Sequence, residues 1–295
     1  MSCPSENSFQ SKPHGDDQTH AAVAKSLYIL PTDEQERKRL EVQHEVLRNA
    51  FGGRIVFAPI ELHAGDKVLD NGAGSATWLL DCYNANKDAT FFGIDLKTNI
   101  FPELDDVQKQ HIHLGAGNIL QIPNDWTSNF QLVNQRLLIA ALSKENWNTA
   151  VEEIFRVLAP GGWVQLVESS HCVAGEATQR HYSMLQDLFV KRGLLLNCVE
   201  HIPNVLKGTG FEKITTQRLE ISLGGGDDED GMKAKARESF VGVYKGMQTP
   251  VVKMGIRTEG EFKELVEDLE REWESNSQSK VIFYAFTAQK PTVSA

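Results

Sequence analysis

The sequence has few cysteines, no long apolar run and no excess of basic residues, and each absence excludes a class of protein. Its four cysteines, Cys3, Cys82, Cys172 and Cys198, form no CxxC pair, so neither a zinc site nor a disulfide framework is indicated. No metal is therefore expected. A membrane-spanning helix needs about 20 apolar residues in a row, and no such run occurs. The N-terminal residues have no apolar core of the kind that a secretory signal needs, so a cytoplasmic location is the default, with a nuclear one possible.

The balance of charge also limits the partners. The 295 residues include 30 basic and 40 acidic side chains, which gives a net charge of −10. This argues against a nucleic-acid partner, because affinity for phosphates comes from Lys and Arg, and it disfavours an anionic membrane surface in the same way. Hydrophobic residues make up 41% and charged residues 24%, as in globular proteins with a real core. The oligomeric state stays open between a monomer and a homodimer.

From Lys67 onward, short apolar runs alternate with helical patterns. This alternation is typical of an α/β fold with a parallel sheet that is covered by helices on both faces. Strands are predicted over residues 67–70, 90–95, 111–114, 131–134, 163–168, 211–219 and 281–287. Helices are predicted over residues 76–83, 144–158, 177–192, 232–247 and 259–275.

The same patterns divide the chain into five parts. An earlier helix is predicted to begin at Thr32 or Asp33 and to end at Gly52-Gly53. The parts are a disordered tail over residues 1–25, an N-terminal helical lid over 26–66, a Rossmann-like core over 67–223, a helical insertion or cap over 224–278, and the final strand of the core with a tail over 279–295.

The most informative segment is VLDNGAGSATW, residues 68–78. A buried strand runs into a turn with Gly72 and Gly74, where a Cβ would hinder close approach of a ligand, and then into a helix whose free N–H groups favour an anion. The next strand ends at Asp95, which is placed to bond ribose hydroxyls. A GxG turn alone is weak, because such turns also simply connect strands to helices. Together with Asp70 before it and Asp95 after it, the turn predicts a nucleotide-type site.

Two cofactors compete for this site. A dinucleotide site usually has a third glycine, but Ala76 stands at that position. A methyltransferase site has an acidic residue leading into the GxG turn, and Asp70 provides it. The pattern therefore favours S-adenosylmethionine over NAD.

The stretch YILPTD at residues 28–33, with Glu36, Arg39-Leu40 and Gln43-His44, resembles the opening signature of fungal TAM-domain methyltransferases, a group that includes the LaeA-like proteins of secondary metabolism. The resemblance covers about residues 27–225 and continues through the glycine loop, Trp147, RVLAPGGW at residues 156–163 and Glu168.

This resemblance implies a class I fold with a seven-stranded Rossmann-like sheet and S-adenosylmethionine as cofactor. It implies that Asp70 lies beside the glycine loop, that Asp95, followed by Leu96, holds the ribose, and that Asn118 and Ile119 lie near the adenine. Asn118 stands where an aspartate is common, so this contact needs its amide oxygen to accept from the adenine amine. Tyr28 and His44 belong to the opening signature and are predicted to form a lid over the cofactor; the alternative is a surface helix packed on the sheet.

Candidates for the chemistry follow the fourth and fifth strands. Methyl transfer from a sulfonium is an in-line displacement, in which alignment supplies much of the rate. Gln135 and Arg136 follow the fourth strand and are candidate catalytic residues at the methionine end of the cofactor; the alternative is that they begin a helix. His171 follows the fifth strand and is the candidate general base, the alternative being a merely solvated histidine.

The acceptor site is predicted from His171, His181 and Tyr244. The apolar faces of the two insertion helices are predicted to roof it, with ordinary packing against the sheet as the alternative. Three functions stay open: methyl transfer to O, N or S of a small molecule of secondary metabolism, a LaeA-like regulator, and a non-catalytic scaffold with a degenerate cofactor pocket.

Overall fold

The computed structural model describes residue 30, residues 33–225, residue 228 and residues 230–292. The predicted tail over residues 1–25, Tyr28 and Thr32 lie outside the described residues. The strands are β1 (Lys67–Asn71), β2 (Thr90–Asp95), β3 (Ile112–Ala116), β4 (Phe130–Arg136), β5 (Leu158–Val173), β6 (Glu212–Ser222) and β7 (Lys280–Gln289). The α-helices are α1 (Glu34–Ala50), α2 (Thr77–Ala85), α3 (Lys144–Val157), α4 (Glu176–Arg192), α5 (Cys198–Thr209), α6 (Met232–Lys245), α7 (Gln248–Lys253) and α8 (Glu259–Ser275).

All seven strands belong to one sheet, in the order β3-β2-β1-β4-β5-β7-β6. This confirms the predicted α/β fold with a seven-stranded sheet. The first five strands in this order are parallel, whereas β7 runs antiparallel to both of its neighbours. The sheet is therefore mixed and not wholly parallel, because β7 enters between β5 and β6 in the reverse direction. The strand order reverses between β1 and β4, which is the point where ligands bind in such sheets.

Helices cover both faces of the sheet. On one face, α3 and α5 pack on β1, β4 and β5 through a core that includes Trp147, Ile154 and Leu206. On the other face, α2 covers β1 and β2, while α1, α4, α6 and α8 share a core with β5 and β7. The aromatic side chains of Trp78 and Trp126 are fully buried, so both fill the core.

The N-terminal helix α1 follows the predicted signals. The Asp33 side chain accepts a hydrogen bond from the Glu36 N–H at 2.9 Å, so Asp33 is the N-cap. The helix stops before Gly52 and Gly53, whose φ angles of 64° and 81° lie in the left-handed region that glycine adopts without strain. Through Leu47 and its neighbours, α1 packs into the same core as the insertion helices.

The insertion helices α6 and α8 bury their apolar faces in that core. The residues predicted to roof an acceptor pocket all pack there: Phe240, Val243, Tyr244, Met247, Phe262, Leu265 and Leu269. Ordinary packing is thus what the structure shows for these faces. No helix in the described ranges is both long and apolar enough to cross a membrane.

The fifth strand is longer than the sequence predicted. It continues past Glu168 to Val173, and its extension pairs with β7 through Cys172 opposite Val281. This pairing carries the residues after Glu168 along the sheet, where a loop at the mouth of the site was expected.

Candidate functional site

A cleft opens at the carboxyl ends of β1, β2 and β4, with α1 along one side. The space free of protein atoms within it, with open solvent at its mouth included, is about 1150 Å³. The lining combines α1, the glycine loop, the end of β2 and the segment after β4, and it includes Leu40, His44, Asp70, Gly72, Gly74, Asp95, Leu96, Ile119, Arg136, Leu138 and Leu142. The structure therefore brings most of the predicted cofactor residues together.

The glycine loop has the backbone that the sequence predicts. Gly72 and Gly74 have φ angles of 82° and 56°, in the left-handed region where a Cβ is disfavoured. The Gly72 N–H donates to the Ile94 carbonyl at 2.9 Å, which ties the loop to the end of β2. A Cβ on Gly74 would stand 3.3 Å from the Leu40 side chain. Glycine here keeps open the gap between the loop and α1.

Asp95 closes the other side of this loop. Its Oδ2 accepts a hydrogen bond from the Gly74 N–H at 2.9 Å, and its Oδ1 accepts one from the Lys97 N–H at 3.1 Å. Burial raises the pKa of Asp95, although these backbone donors oppose the shift. The carboxylate lines the cleft beside the glycine loop, which is the position predicted for a group that binds ribose hydroxyls.

Asp70 is the first member of a buried chain of amides. Its Oδ1 accepts from Asn134 Nδ2 at 2.6 Å, and Asn134 Oδ1 accepts from Gln165 Nε2 at 2.8 Å. Gln165 also donates to the Ile55 carbonyl at 3.0 Å and accepts from the Phe57 N–H at 2.9 Å. Burial raises the pKa of Asp70 to about 6. The chain joins the floor of the cleft to the segment that follows α1.

His44 links α1 to the site. Its Nε2 lies 2.9 Å from Asp81 Oδ2, and its Nδ1 lies 3.3 Å from both terminal nitrogens of Arg136. A guanidinium can only donate, so Nδ1 is the acceptor and Nε2 carries the hydrogen. Burial, with Arg136 nearby, lowers the pKa of His44 to about 4. His44 is therefore neutral at pH 7 and holds the Arg136 side chain in place.

Arg136 is the arginine that lines the cleft in the described part of the chain. Burial lowers its pKa to about 10, and the nearby acids Asp70, Asp81 and Glu168 oppose that shift. Arg136 thus remains protonated at pH 7 and presents a positive charge to the cleft.

Glu168 supports the wall of the cleft from below. It is fully buried at the point where the predicted fifth strand ends. Its two oxygens accept from the Leu138 N–H at 2.7 Å and the Ile139 N–H at 3.1 Å. Burial raises its pKa to about 8, with the backbone donors and Arg136 opposing the shift. Glu168 therefore fixes the segment after β4, part of which lines the cleft.

Gln135 and Asn118 were predicted to contact the cofactor, and in the structure both form hydrogen bonds with other residues of the protein. Gln135 is fully buried, and its Oε1 accepts from Asn71 Nδ2 at 2.8 Å, so it contacts the sheet and does not line the cleft. The Asn118 Oδ1 accepts from the Leu120 N–H at 3.0 Å, which uses one of the two lone pairs of the oxygen that was expected to meet the adenine amine. Its Nδ2 is buried and has no partner among the described residues.

The predicted acceptor residues lie apart from the cleft lining. His171 is exposed, with its Nδ1 at 2.9 Å from Ser170 Oγ, because β5 continues past Glu168. His181 is buried, with its ring centroid 4.0 Å from that of Tyr244, and burial lowers its pKa to about 3. Tyr244 Oη lies 3.3 Å from Cys172 Sγ. The structure brings His181 and Tyr244 together inside the core shared by α4 and α6, but it leaves His171 outside.

Sequence reasoning missed Asp81 and Gln165. Asp81 lies four residues after Thr77 on α2, one helical turn inside the helix. Gln165 stands in the otherwise apolar run WVQLV of β5. A buried amide in such a run needs partners, and this was a usable signal.

Comparisons with known proteins agree with this geometry. Residues 68–162 match the family described as methyltransferase domain. The N-methyltransferase sirN of Leptosphaeria maculans is 25% identical over 262 residues, which cover 86% of this chain and 91% of that protein. The secondary metabolism regulator LAE1 of Cochliobolus heterostrophus is 29% identical over 152 residues, 49% of this chain and 46% of that protein.

The fold is shared with a solved enzyme. The phosphoethanolamine N-methyltransferase 2 of Haemonchus contortus, solved with S-adenosylhomocysteine, superposes with a TM-score of 0.50 at 16% identity, covering 93% of this chain and 57% of that one. This likeness concerns the fold, whereas the family match over residues 68–162 and the described cleft carry the assignment of the cofactor and the reaction. The chain is an S-adenosylmethionine-dependent methyltransferase with a class I domain, similar to the fungal LaeA-like methyltransferases.

Proposed function

We propose that this methyltransferase acts on a nitrogen atom of a small secondary metabolite and holds its cofactor with the residues that line the cleft. The observation that carries the proposal is the junction of Asp95 with the glycine loop, through the bond from the Gly74 N–H. The choice of nitrogen is supported by sirN, an N-methyltransferase that aligns with most of this chain.

The described residues fit S-adenosylmethionine. Asp95 would accept hydrogen bonds from the ribose hydroxyls, and Gly74 leaves room where a Cβ would meet α1. Leu96 and Ile119 provide apolar surface near the adenine. The buried Nδ2 of Asn118, which has no partner in the described part of the chain, would donate to an adenine ring nitrogen. Arg136 would face the carboxylate end of the methionine moiety or the acceptor.

The bound cofactor supplies an activated methyl group, and the chain supplies alignment. A neutral amine nitrogen attacks with its own lone pair and needs no general base. The cleft agrees with this requirement, because the imidazole that lines it belongs to His44, which is neutral and already bonded through both nitrogens. The chemistry therefore depends on positioning, in which His44 and Glu168 act by fixing Arg136 and the segment after β4.

Calorimetry tests the cofactor site. S-adenosylhomocysteine should bind the purified protein, and NAD should not. Asp95→Ala should weaken the binding by about 1.5–3 kcal/mol, the scale of hydrogen bonds to charged groups. Asp187→Ala, which removes an exposed carboxylate on α4, is the matched control and should change nothing. Unchanged affinity in Asp95→Ala would remove Asp95 from the site.

Product analysis tests the acceptor. The protein is incubated with a fungal metabolite extract and methyl-labelled cofactor, and products that gain one methyl group are located by mass spectrometry. A label on nitrogen supports the proposal, and a label on oxygen or sulfur contradicts it.

A regulator of secondary metabolism is the second candidate, and the similarity to LAE1 favours it. Tight binding of S-adenosylhomocysteine without any labelled small molecule would select this candidate over a metabolic enzyme.

A further inference from the structure

One carboxylate outside the cleft lining meets the helix that borders the cleft. Asp81 lies one turn inside α2, the helix that follows the glycine loop. His44 and Arg48 are four residues apart on α1, so both side chains lie on the same face of that helix. Asp81 Oδ2 lies 2.9 Å from His44 Nε2 and 3.3 Å from Arg48 Nη1. Asp81 therefore joins α2 to α1.

The two contacts of Asp81 differ in their surroundings. The side chain of His44 is 6% exposed, whereas that of Arg48 is 54% exposed. A surface ion pair contributes little because water screens it. A buried hydrogen bond is costly to lose, because the group that is left behind has no partner. The contact with His44 is therefore the one that matters for the site.

The hydrogen position on His44 is fixed from both sides of the ring. A carboxylate can only accept, so Nε2 carries the hydrogen that faces Asp81. The guanidinium of Arg136 can only donate, so Nδ1, 3.3 Å from both of its terminal nitrogens, carries none. The other neutral tautomer would lose both hydrogen bonds. Asp81 thus holds the imidazole in the form that Arg136 needs, as a carboxylate does in catalytic triads.

We infer that Asp81 is a positioning residue for the cofactor. It selects the tautomer of His44 that accepts from Arg136, and it thereby fixes the guanidinium that meets the carboxylate of the methionine moiety. Asp81 does not line the cleft, so it acts through His44. The inference rests on the proposed function, in which Arg136 faces this carboxylate or the acceptor, and it assigns Arg136 the first of these two roles.

Replacement of Asp81 by asparagine removes the selection and keeps the shape of the side chain. The amide can donate as well as accept, so it can bond His44 in either tautomer. Asp81→Asn should weaken S-adenosylhomocysteine about fivefold in calorimetry, the scale of one hydrogen bond. It should leave the binding of adenosine, followed by ligand-observed NMR, unchanged, because adenosine has no carboxylate for Arg136.

Two further variants separate the role of His44 from a general effect of charge. In the His44→Phe background, Asp81→Asn should cause no further loss, because the effects of residues that act through one another do not add. Arg48→Gln removes the exposed ion pair and keeps the contact of Asp81 with His44. It is the matched control and should bind S-adenosylhomocysteine as wild type does.

The tautomer can be observed directly by NMR of the imidazole nitrogens, with the His44 signal assigned by its loss in His44→Phe. Wild type should carry the hydrogen on Nε2, and Asp81→Asn should add a population with the hydrogen on Nδ1. A hydrogen on Nδ1 in wild type, or the same tautomer in both proteins, would overturn the inference.

Unchanged affinity of Asp81→Asn for S-adenosylhomocysteine would also overturn it. An equal loss of adenosine binding would do so too, since Asp81 would then support the whole cleft, as would an equal loss in Arg48→Gln. Full affinity in Arg136→Gln would overturn the inference and leave the proposed function intact. Failure of the wild-type protein to bind S-adenosylhomocysteine would instead refute the proposed function, so the two failures are distinguishable.

Discussion

Replacing Glu168 by glutamine removes an ionisable group from beneath the cleft, and the structure predicts how stability then changes with pH. Burial raises the pKa of Glu168 from its ordinary value of 4.5 to about 8. Between pH 4.5 and about pH 8, Glu168 holds a proton in the folded protein that it has already released in the unfolded chain. The free energy of unfolding therefore falls as the pH rises through this window.

The size of the effect follows from the pKa shift. Each unit corresponds to about 1.4 kcal/mol, so the shift from 4.5 to about 8 limits this group's contribution to roughly 5 kcal/mol at most. The value of about 8 already includes the opposing effects of Arg136 and the backbone donors. Glutamine has one acceptor oxygen, so it can satisfy the Leu138 N–H or the Ile139 N–H but not both. Glu168→Gln should therefore lose about 1–3 kcal/mol through the missing hydrogen bond and also lose the pH-dependent part.

Urea unfolding followed by tryptophan fluorescence measures both effects. Near pH 5, Glu168→Gln should be less stable than wild type, and near pH 9 the difference should shrink or reverse. Asp70, whose pKa is also raised, is present in both proteins, so the difference isolates Glu168. Glu200→Gln, at an exposed position, is the control and should track wild type. Parallel stability curves for Glu168→Gln and wild type would refute the reasoning.

Two further predictions concern the cofactor side of the cleft. Gly74→Ala places a methyl group at a φ of 56°; it should lower the free energy of unfolding by about 1 kcal/mol and weaken the binding of S-adenosylhomocysteine measured by calorimetry. The control Ala76→Gly, at a φ of 57°, should keep a free energy of unfolding within about 1 kcal/mol of wild type. Equal losses in the two variants would contradict the argument. His44→Phe should weaken the binding of S-adenosylhomocysteine about tenfold, because it releases the Arg136 side chain. His44→Gln keeps a donor and an acceptor and should recover part of this loss. Identical affinities of the two variants would argue against positioning of Arg136 by His44.

Local patterns were sufficient for the strands and the glycine loop. The strand ending at Asp70, the turn with Gly72 and Gly74, and the strand ending at Asp95 each depend on neighbouring residues, and the structure has each where the sequence predicts it. The position of His171 depends instead on β7, more than a hundred residues later in the chain, whose pairing extends β5. Periodicity within β5 carries no information about that partner, so the end of the strand was placed too early.

The same limit applies to partners of buried groups. The sequence placed Arg136 after the fourth strand, but it could not show that Asp81 and His44 would meet it from α2 and α1. Likewise, Gln135 is buried, and its Oε1 accepts a hydrogen bond there from Asn71 Nδ2. Alternation along a strand predicts that adjacent residues point to opposite faces of the sheet. It does not show which of them reaches the cleft, and in the structure Arg136 does.

Arg136 supplies positive charge to the lining of the cofactor cleft. Burial alone would favour its neutral form, yet Asp70, Asp81 and Glu168 keep its pKa at about 10, well above physiological pH. Each of these acids comes from a different element of the fold, β1, α2 and β5, while His44 accepts from the guanidinium and adds no charge of its own. The fold therefore holds one permanent positive charge, that of Arg136, in the lining of the cofactor cleft.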